Sequence, residues 1–159
     1  TVPFDALYRE NVHDLFAYVM TIVRERASAE DVTHAAFERA YRKHNRYDPR
    51  KGSQRAWLFG IARNASLDEL RRRKRTASLV VDLPDESVAA FEDDELALRQ
   101  SVVRAALANL DPHDRELVSL KFFAGLTNAE IARVVGLSES NAGTRLHRAV
   151  NRLREACNA

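Results

Sequence analysis

A chain of 159 residues is long enough for one domain or two small ones, and an apolar content of 45% is too high for a globally disordered protein. No apolar run approaches a membrane span, no signal-peptide pattern opens the chain, and a single cysteine, Cys157, excludes an internal disulfide. We therefore expect a cytoplasmic protein of a reducing compartment that does not insert into a membrane.

The net charge of +2 conceals a strong partition along the chain. Residues 1–75 hold 16 Lys and Arg against 10 Asp and Glu, and residues 98–159 hold 9 against 6. Between these two blocks, residues 76–97 hold seven acids and no base. This pattern is typical of two polyanion-binding domains joined by an acidic linker.

The first two predicted helices are amphipathic. Apolar residues recur at steps of three and four from Phe4 to Val23, which predicts a long helix with its aromatic side chains in a core. Ser28, with Asp31 three residues later, is predicted to cap the second helix. The residues predicted to face the core from the second helix are Val32, Ala36, Phe37, Ala40 and Tyr41.

A different face of the second helix carries Glu30, His34 and Glu38 at intervals of four. Such a strip is either a plain solvated surface or a docking surface for a basic partner, and the residues alone leave both interpretations open. One histidine between two carboxylates is too small a set for a metal site, so neither a metal nor a cofactor is predicted.

Residues 42–75 combine cations with aromatic side chains. Asp48–Gly52 contains proline and glycine and is predicted to be a loop, and cations alternate around it with Tyr47, Trp57 and Phe59. Cations follow a phosphate backbone and exposed rings stack on unpaired bases, so the stretch is typical of a surface for single-stranded nucleic acid. Trp57 also fits the apolar face of a helix, which leaves core packing and base contact equally open. The opposite face of that helix is polar and carries Asn64, Asp68, Arg71, Arg72 and Arg75.

Two further helices are predicted after the acidic segment. The pair Asp111-Pro112 supplies an N-cap and a proline at the first helical position, and Gly125 is expected to end that helix. The helix before it has an apolar face formed by Leu98, Val102, Val103, Ala106, Leu107 and Leu110.

Two helices joined by a tight turn are predicted at residues 127–154. Thr127 and Glu130 form a capping box, Gly136 allows a left-handed turn, and Ser138 begins the second helix. This is the pattern of a helix-turn-helix, whose second helix enters the DNA major groove. The alternative is a helical hairpin with a solvated basic face. The cations of the second helix are Arg145, Arg148, Arg152 and Arg154.

Two stretches of the chain resemble the extracytoplasmic-function (ECF) sigma factors of bacterial RNA polymerase. AEDVTHAAFERAYR, followed by WLFGIARNASLDELRRRKR, resembles region 2 of that family. LDPHDRELVSLKFFAGLTNAEIARVVGLSES, followed by TRLHRAVNRLR, resembles region 4. The resemblance implies an all-α fold of two small helical domains: a region 2-like domain at 1–76, an acidic flexible linker at 77–96 and a region 4-like helix-turn-helix domain at 97–159.

The resemblance implies an alternative sigma factor that binds core RNA polymerase and directs promoter-specific transcription initiation, and it does not imply an enzyme. The N-terminal domain would dock on the clamp helices of the largest polymerase subunit, the C-terminal domain would lie near the flap region, and the linker would run through the RNA exit channel. The residues implied in polymerase docking are Glu30, Asp31, His34, Glu38 and Arg39.

The resemblance also implies contacts with promoter DNA and with an anti-sigma factor that holds the protein inactive. The N-terminal domain would help to melt the −10 element and bind it as a single strand, and the C-terminal domain would read the −35 element as duplex. The −10 residues implied are Tyr47, Arg55, Trp57, Arg63, Asn64 and Arg71. The −35 residues implied are Ser138, Asn141, Thr144, Arg145 and Arg148.

One position and one five-residue stretch depart from the family pattern. His34 stands where the family usually has Gln, which is expected to alter polymerase docking. In the recognition helix, residues 140–144 read Ser-Asn-Ala-Gly-Thr instead of Gly-Thr-Val-Lys/Arg-Ser. Gly143 therefore removes an expected cation, and a glycine inside a helix costs about 1 kcal/mol relative to alanine.

The main rival hypothesis is a stand-alone helix-turn-helix regulator that binds duplex DNA without polymerase. It explains residues 127–154 but leaves Tyr47, Trp57 and the acidic strip of the second helix without a function. An enzyme is a weaker rival, because the five histidines are scattered and the chain has no phosphate loop, nucleophile elbow or paired-ligand spacing.

Overall fold

The computed structural model describes residues 4–76 and 102–158, and within these ranges every regular element is helical. The all-α class predicted from the sequence is confirmed. The predicted linker at 77–96 and Leu98 lie outside the described residues. The helices are α1 (Phe4–Val23), α2 (Arg26–Arg42), α3 (Gln54–Thr76), α4 (described over 102–108), α5 (Pro112–Phe122), α6 (Asn128–Val135) and α7 (Glu139–Asn158), with 3₁₀ turns at His44–Arg46 and Pro49–Lys51 between α2 and α3.

The N-terminal half is a bundle in which α1, α2 and α3 each pack against the other two. Tyr18 of α1 and Phe59 of α3 are fully buried, with their ring centroids 5.4 Å apart. The sequence had placed Phe59 among the rings available to unpaired bases, and this was wrong. Phe59 lies on the side of α3 that faces α1, where the ring excludes water from the core.

The second helix begins earlier than predicted. The structure starts α2 at Arg26, with Glu25 at the N-cap position, so the predicted Ser28 cap is wrong. The Ser28 hydroxyl donates instead to the Glu25 carboxylate over 3.1 Å, and Arg73 of α3 donates to the same carboxylate over 3.1 Å. Because Glu25 is tied to α3, the helix start is set by a contact between helices rather than by a local cap.

Tyr41 does not face the core, contrary to its predicted role. It is 59% exposed in the last turn of α2, whereas Val32, Ala36, Phe37 and Ala40 are buried as predicted. The rings of Tyr41 and Phe4 are packed edge to face, with their centroids 5.2 Å apart, at the open end of the bundle where α1 begins. The buried stripe of α2 therefore ends at Ala40, one residue earlier than its sequence indicates.

The C-terminal half follows its local capping signals closely. The Asp111 carboxylate accepts a hydrogen bond from the His113 N–H over 2.9 Å, and Thr127 and Glu130 form both hydrogen bonds of a capping box. Gly136 has φ +77°, in the left-handed region, where it ends α6 and turns the chain toward α7. These predictions are confirmed because each depends on residues within one helical turn.

The apolar face predicted for α4 is only partly correct. Ala106, Leu107 and Leu110 are buried, but Val102 and Val103 are 45% and 41% exposed. Arg115 of α5 donates hydrogen bonds to backbone carbonyls of residues 107, 108 and 110, which binds the end of α4 to α5. The two valines precede this anchored turn and lie outside the packed contact.

The two halves pack against each other, with α1 on α5 and α3 on α6. Their buried apolar residues form one continuous cluster that extends from Leu15 and Leu58 to Leu117 and Ile131. Among the described helices, none is both long enough and apolar enough to span a bilayer.

Candidate nucleic-acid interface

Helix α7 presents a basic face opposite its packed face. Its buried residues are Ala142, Leu146 and Ala149, at intervals of three and four along one side. The exposed side carries every residue predicted to contact the −35 element: Ser138, Asn141, Thr144, Arg145 and Arg148. The Ser138 hydroxyl also accepts a hydrogen bond from the Asn141 N–H over 3.1 Å, so it caps the start of the helix.

An open groove with a volume of about 780 Å³ lies between the start of α6 and the exposed side of α7. Gly143 lines it together with Asn128, Thr144, His147 and Arg148. A Cβ atom added at Gly143 would meet the Asn128 side chain at 3.6 Å, an ordinary contact. The packing therefore does not require glycine at this position. The effect of Gly143 is that the middle of the recognition helix lacks a side chain.

An ion pair holds α7 on α5. Arg152 donates to the Asp114 carboxylate over 2.5 Å, and the Asp114 side chain is only 14% exposed. Together with the turn at Gly136, this contact determines how α7 projects from the rest of the domain.

The acidic strip of α2 is exposed as predicted. Glu30, Asp31, His34 and Glu38 are open to solvent, and Arg39 is half-buried. Glu30 lies 3.4 Å from Arg26 and Glu38 lies 3.9 Å from Arg42, each pair being on α2 itself and largely exposed. Exposed pairs of this spacing contribute about 0.3–0.5 kcal/mol, so a partner's cations can replace them readily.

Tyr47, Trp57 and Asn64 line a single cavity of about 440 Å³. The Tyr47 hydroxyl donates to the Gly52 carbonyl over 2.9 Å, and the Tyr47 and Trp57 rings are tilted with centroids 5.6 Å apart. Trp57 is half-buried, packing against the core on one side and bordering the cavity on the other. Core packing therefore applies to one part of this ring, and base contact by the other part stays a prediction. The cations around the cavity are Arg46, Lys51 and, from α6, Arg133.

Arg55, another predicted −10 residue, is engaged by both halves of the molecule. Its guanidinium donates to Asp14 over 2.7 Å and to the Phe123 carbonyl over 2.9 Å. It also donates to the Asn11 side chain and to the Ala124 carbonyl. The side chain is 29% exposed.

Arg63 is engaged in the same way. Its Nε donates to the Glu116 carboxylate of α5 over 2.9 Å, and the Tyr18 hydroxyl donates to the same oxygen over 3.0 Å. The Arg63 and Glu116 side chains are 21% and 11% exposed. Burial, followed by the charge of Glu116, raises the pKa of Tyr18 well above its ordinary value, so the phenol remains a hydrogen-bond donor at neutral pH.

Glu130 makes two contacts, of which the sequence indicated one. Besides capping α6, its carboxylate accepts hydrogen bonds from the Ser53 N–H over 3.0 Å and from the Ser53 hydroxyl over 2.6 Å. Burial alone would raise the pKa of Glu130, but the hydrogen bonds from Ser53 and Thr127 lower it below its ordinary value. No sequence signal indicated the contact of Glu116 with Arg63 or that of Glu130 with Ser53, because these partners lie 53 and 77 positions away.

Arg71 lies apart from the other predicted −10 residues, at the basic end of α3. Its side chain is 70% exposed and pairs with Asp68 over 2.8 Å. Together with Lys74 and Arg75, it borders an open depression with a volume of about 630 Å³. In the part of the chain that the structure describes, no three His, Cys, Asp or Glu side chains are grouped closely enough to hold a metal ion.

Comparison with known families gives two matches in chain order. The sigma-70 region 2 family matches residues 7–76, and the sigma-70 region 4 family matches residues 100–153. The ECF RNA polymerase sigma factor SigL of Mycobacterium tuberculosis is 33% identical over 153 residues, covering 94% of this chain and 85% of SigL. The RNA polymerase sigma factor CarQ of Myxococcus xanthus is 32% identical over 155 residues, covering 96% of this chain and 87% of CarQ.

Two solved structures are similar over nearly the whole chain. One is the sigma factor RpoE of Bartonella quintana in complex with the anti-sigma factor NepR, with a TM-score of 0.81, 23% identity and coverage of 98% of this chain and 97% of RpoE. The other is CnrH in complex with the cytosolic domain of CnrY, with a TM-score of 0.68, 26% identity and coverage of 98% and 87%. Because the sequence identity to RpoE is only 23%, that match shows similarity of fold alone.

Proposed function

The chain belongs to the ECF sigma factors of bacterial RNA polymerase, and from this membership we propose that it binds core polymerase and directs it to promoters with two spaced elements. Its work is binding rather than bond chemistry: it positions the polymerase and assists strand opening. We place this activity in the cytoplasm, where polymerase and chromosome are found.

The −35 element is read by α7. The exposed residues of this helix fit a major groove, where one well-placed bidentate side chain contributes about 1–3 kcal/mol of discrimination. Arg145 and Arg148 are the cations on this face, with Asn141 and Thr144 beside them. Because Gly143 leaves a gap in the surface, we expect these four residues to make the −35 contacts.

The −10 element is bound as an opened strand on α3 and the loop before it. Removing a base from the duplex stack costs a few kcal/mol, and stacking on an aromatic side chain returns about 1–3 kcal/mol per base. Tyr47 and Trp57 border the same cavity, with Asn64 beside them and cations around the rim. This combination supports capture of unpaired bases after melting. The other residues proposed for the −10 contacts are Arg55, Arg63 and Arg71.

The exposed strip of α2 is the proposed polymerase-docking surface, facing the clamp helices of the largest subunit. Glu30, Asp31, His34, Glu38 and Arg39 form this surface. Docking, −35 reading and −10 capture then act through one molecule, so that modest affinities combine through effective concentration.

An anti-sigma factor is the proposed regulatory partner. The solved structures similar to this chain include the sigma factor RpoE bound to the anti-sigma factor NepR, and CnrH bound to the cytosolic domain of CnrY. A protein of that kind, covering the α2 strip or the −10 face, would prevent this chain from joining polymerase.

The observation that carries the proposal is the presence of both sigma regions, in order, on one chain whose α2 and α7 faces are exposed. Run-off transcription with purified core polymerase and a promoter library tests it directly. We expect new, promoter-dependent start sites only when the protein is added. Duplex binding by the protein without any polymerase-dependent initiation would instead favour the stand-alone regulator.

A further inference from the structure

Position 143 is the centre of a stripe on α7 that faces the start of α6. Ser140, Gly143 and His147 follow one another at steps of three and four, so they lie on one side of the helix and line the open groove between α6 and α7. A long side chain at position 143 would cover Asn128, because the Asn128 amide nitrogen is 3.6 Å from the place of a Cβ atom there. The glycine therefore uncovers Asn128 to the groove.

A contact with α5 determines the orientation of the Asn128 amide. The Lys121 ammonium donates to the Asn128 Oδ1 over 3.2 Å. An ammonium group can only donate, so the amide oxygen has to face Lys121 and the amide nitrogen has to face away from it. Among the described residues, none accepts a hydrogen bond from this nitrogen. Its two N–H groups are therefore available at the wall of the groove.

The charges around the uncovered amide favour an anion. Lys121 is half-buried behind Asn128, and its ammonium polarises the amide, which strengthens the two N–H donors. Arg148 lies on the groove wall, one turn past the glycine. The acid among the lining residues is Glu139, in the first turn of α7, where the helix dipole favours a negative charge. Two cations and an oriented amide thus outweigh one carboxylate.

The anion that fits this position is a phosphodiester group of duplex DNA. In a helix-turn-helix, the first helix crosses the DNA backbone while the second helix enters the major groove. Asn128 is the first residue of α6, which is the first helix of this pair. Asparagine side chains are among the groups that donate to phosphate oxygens, and such contacts set the register of a protein on the duplex. A single phosphate oxygen can reach the amide through the space of one missing side chain.

We propose that Asn128, oriented by Lys121, binds a backbone phosphate of the −35 duplex through the space left by Gly143. This contact takes the place of the cation that the recognition helix lacks at position 143. The inference rests on the proposed function, because it assumes that α7 enters the major groove of the −35 element. It adds to the base contacts of α7 a phosphate contact that sets the position of the helix on the DNA.

The first test changes the Asn128 amide and preserves the fold. Asn128→Asp retains an oxygen for Lys121 but removes both N–H donors and adds a negative charge, whereas Asn128→Ala removes the whole group. The matched control is Asn158→Ala, which changes an exposed asparagine at the far end of α7. Thermal denaturation establishes that each variant remains folded.

Fluorescence anisotropy of the full chain with a short random-sequence duplex reads the result, because a phosphate contact does not depend on base sequence. Asn128→Ala should bind about tenfold more weakly than the wild type, the factor for one hydrogen bond to a charged group. Asn128→Asp should bind more weakly still, since its carboxylate repels the phosphate even though Lys121 keeps its partner. Equal affinity of the wild type and both Asn128 variants would overturn the proposal.

A second test places a side chain at the glycine. Gly143→Lys supplies the missing cation, and its side chain would occupy the space through which Asn128 reaches the phosphate. In this background, Asn128→Ala should change the affinity by less than about twofold, whereas in the wild type it should cost about tenfold. An equal loss in both backgrounds would mean that Asn128 does not act through this space, and the proposal would be wrong.

Ethylation interference locates the phosphate on a promoter. The experiment uses the holoenzyme and a promoter obtained by run-off transcription. Ethylation of one phosphate in the −35 element should block binding by the wild type and have little effect on binding by Asn128→Ala. Identical ethylation patterns for the two proteins contradict the contact.

Arg148→Ala separates this inference from the proposed function. If Arg148→Ala loses affinity for the duplex while the Asn128 variants do not, α7 reads DNA and the phosphate contact is wrong. If none of these variants changes the affinity for duplex DNA, reading of the −35 element by α7 fails, and this inference fails with it.

Discussion

Arg63 of α3 and Glu116 of α5 form an ion pair between the two halves of the molecule, with Nε 2.9 Å from the carboxylate oxygen. Their side chains are only 21% and 11% exposed, whereas the pairs along α2 are more than half exposed. An exposed pair contributes little, but a buried charge that loses its partner is strongly destabilising. Contacts around Glu116 should therefore influence stability more than the surface charges do.

Tyr18→Phe is predicted to lower the free energy of unfolding by about 1 kcal/mol at neutral pH, because it removes one hydrogen bond to Glu116 and leaves the ring in place. Urea denaturation measures this difference. Tyr8→Phe, at an exposed position on the same helix, is the control and should change little.

The effect of Tyr18 should also depend on pH. Because burial raises its folded-state pKa above the ordinary value of 10.0, its contribution to stability is complete below pH 10 and is lost as the pH rises toward the folded-state pKa. The wild type should therefore lose stability relative to Tyr18→Phe above pH 10. A difference that stays constant into that range would contradict the assignment of Tyr18 as a buried neutral donor.

Arg148→Ala is predicted to weaken binding to −35 duplex DNA and to reduce the salt dependence of binding by about one unit of slope, if Arg148 contacts phosphate. If it contacts a base edge, the loss should be about 1–3 kcal/mol and confined to one base position. Titrations of fluorescent duplexes at several salt concentrations measure both. Arg154→Ala, nearly two turns further along α7, is the control. If Arg148→Ala binds the duplex with unchanged affinity, Arg148 does not contact the DNA groove.

Reversing two charges on α2, with Asp31→Lys and Glu38→Lys, is predicted to reduce capture of core polymerase at least tenfold. The fold should persist, because both side chains are exposed and Glu38 pairs only weakly with Arg42. A pull-down with purified core polymerase measures the loss, and thermal denaturation monitors the fold. Glu10→Lys on α1 serves as the charge control; equal capture by all variants would place docking elsewhere.

Trp57→Ala is predicted to reduce the fraction of opened promoter more than the fraction of closed complex. Since the ring is half-buried against the core, the free energy of unfolding should also fall, by about 2 kcal/mol. Trp57→Phe retains an apolar ring and should recover most of that stability. Permanganate footprinting of unpaired thymines measures opening, and normal opening by a folded Trp57→Ala protein would assign the ring to packing alone.

The sequence by itself determined the features that depend on neighbouring residues. Periodicity placed the main helices and the polar strip of α2, and the caps at Asp111 and Thr127 and the turn at Gly136 were predicted correctly. These signals are readable because a helix start, a helix end and a helical face are each decided within a few residues. The family resemblance, carried by two separate motifs, was also contained in the sequence and was confirmed.

Only the tertiary structure decided which polar residues of α3 remain free. The resemblance implied Arg55, Arg63 and Asn64 alike as −10 residues, but the two arginines are held by acceptors from distant parts of the chain, and Asn64 is exposed. Phe59 was similarly indistinguishable from an exposed ring until α1 was packed against it. Hydrogen bonds and burial of this kind depend on the approach of segments far apart in sequence, which no local pattern encodes.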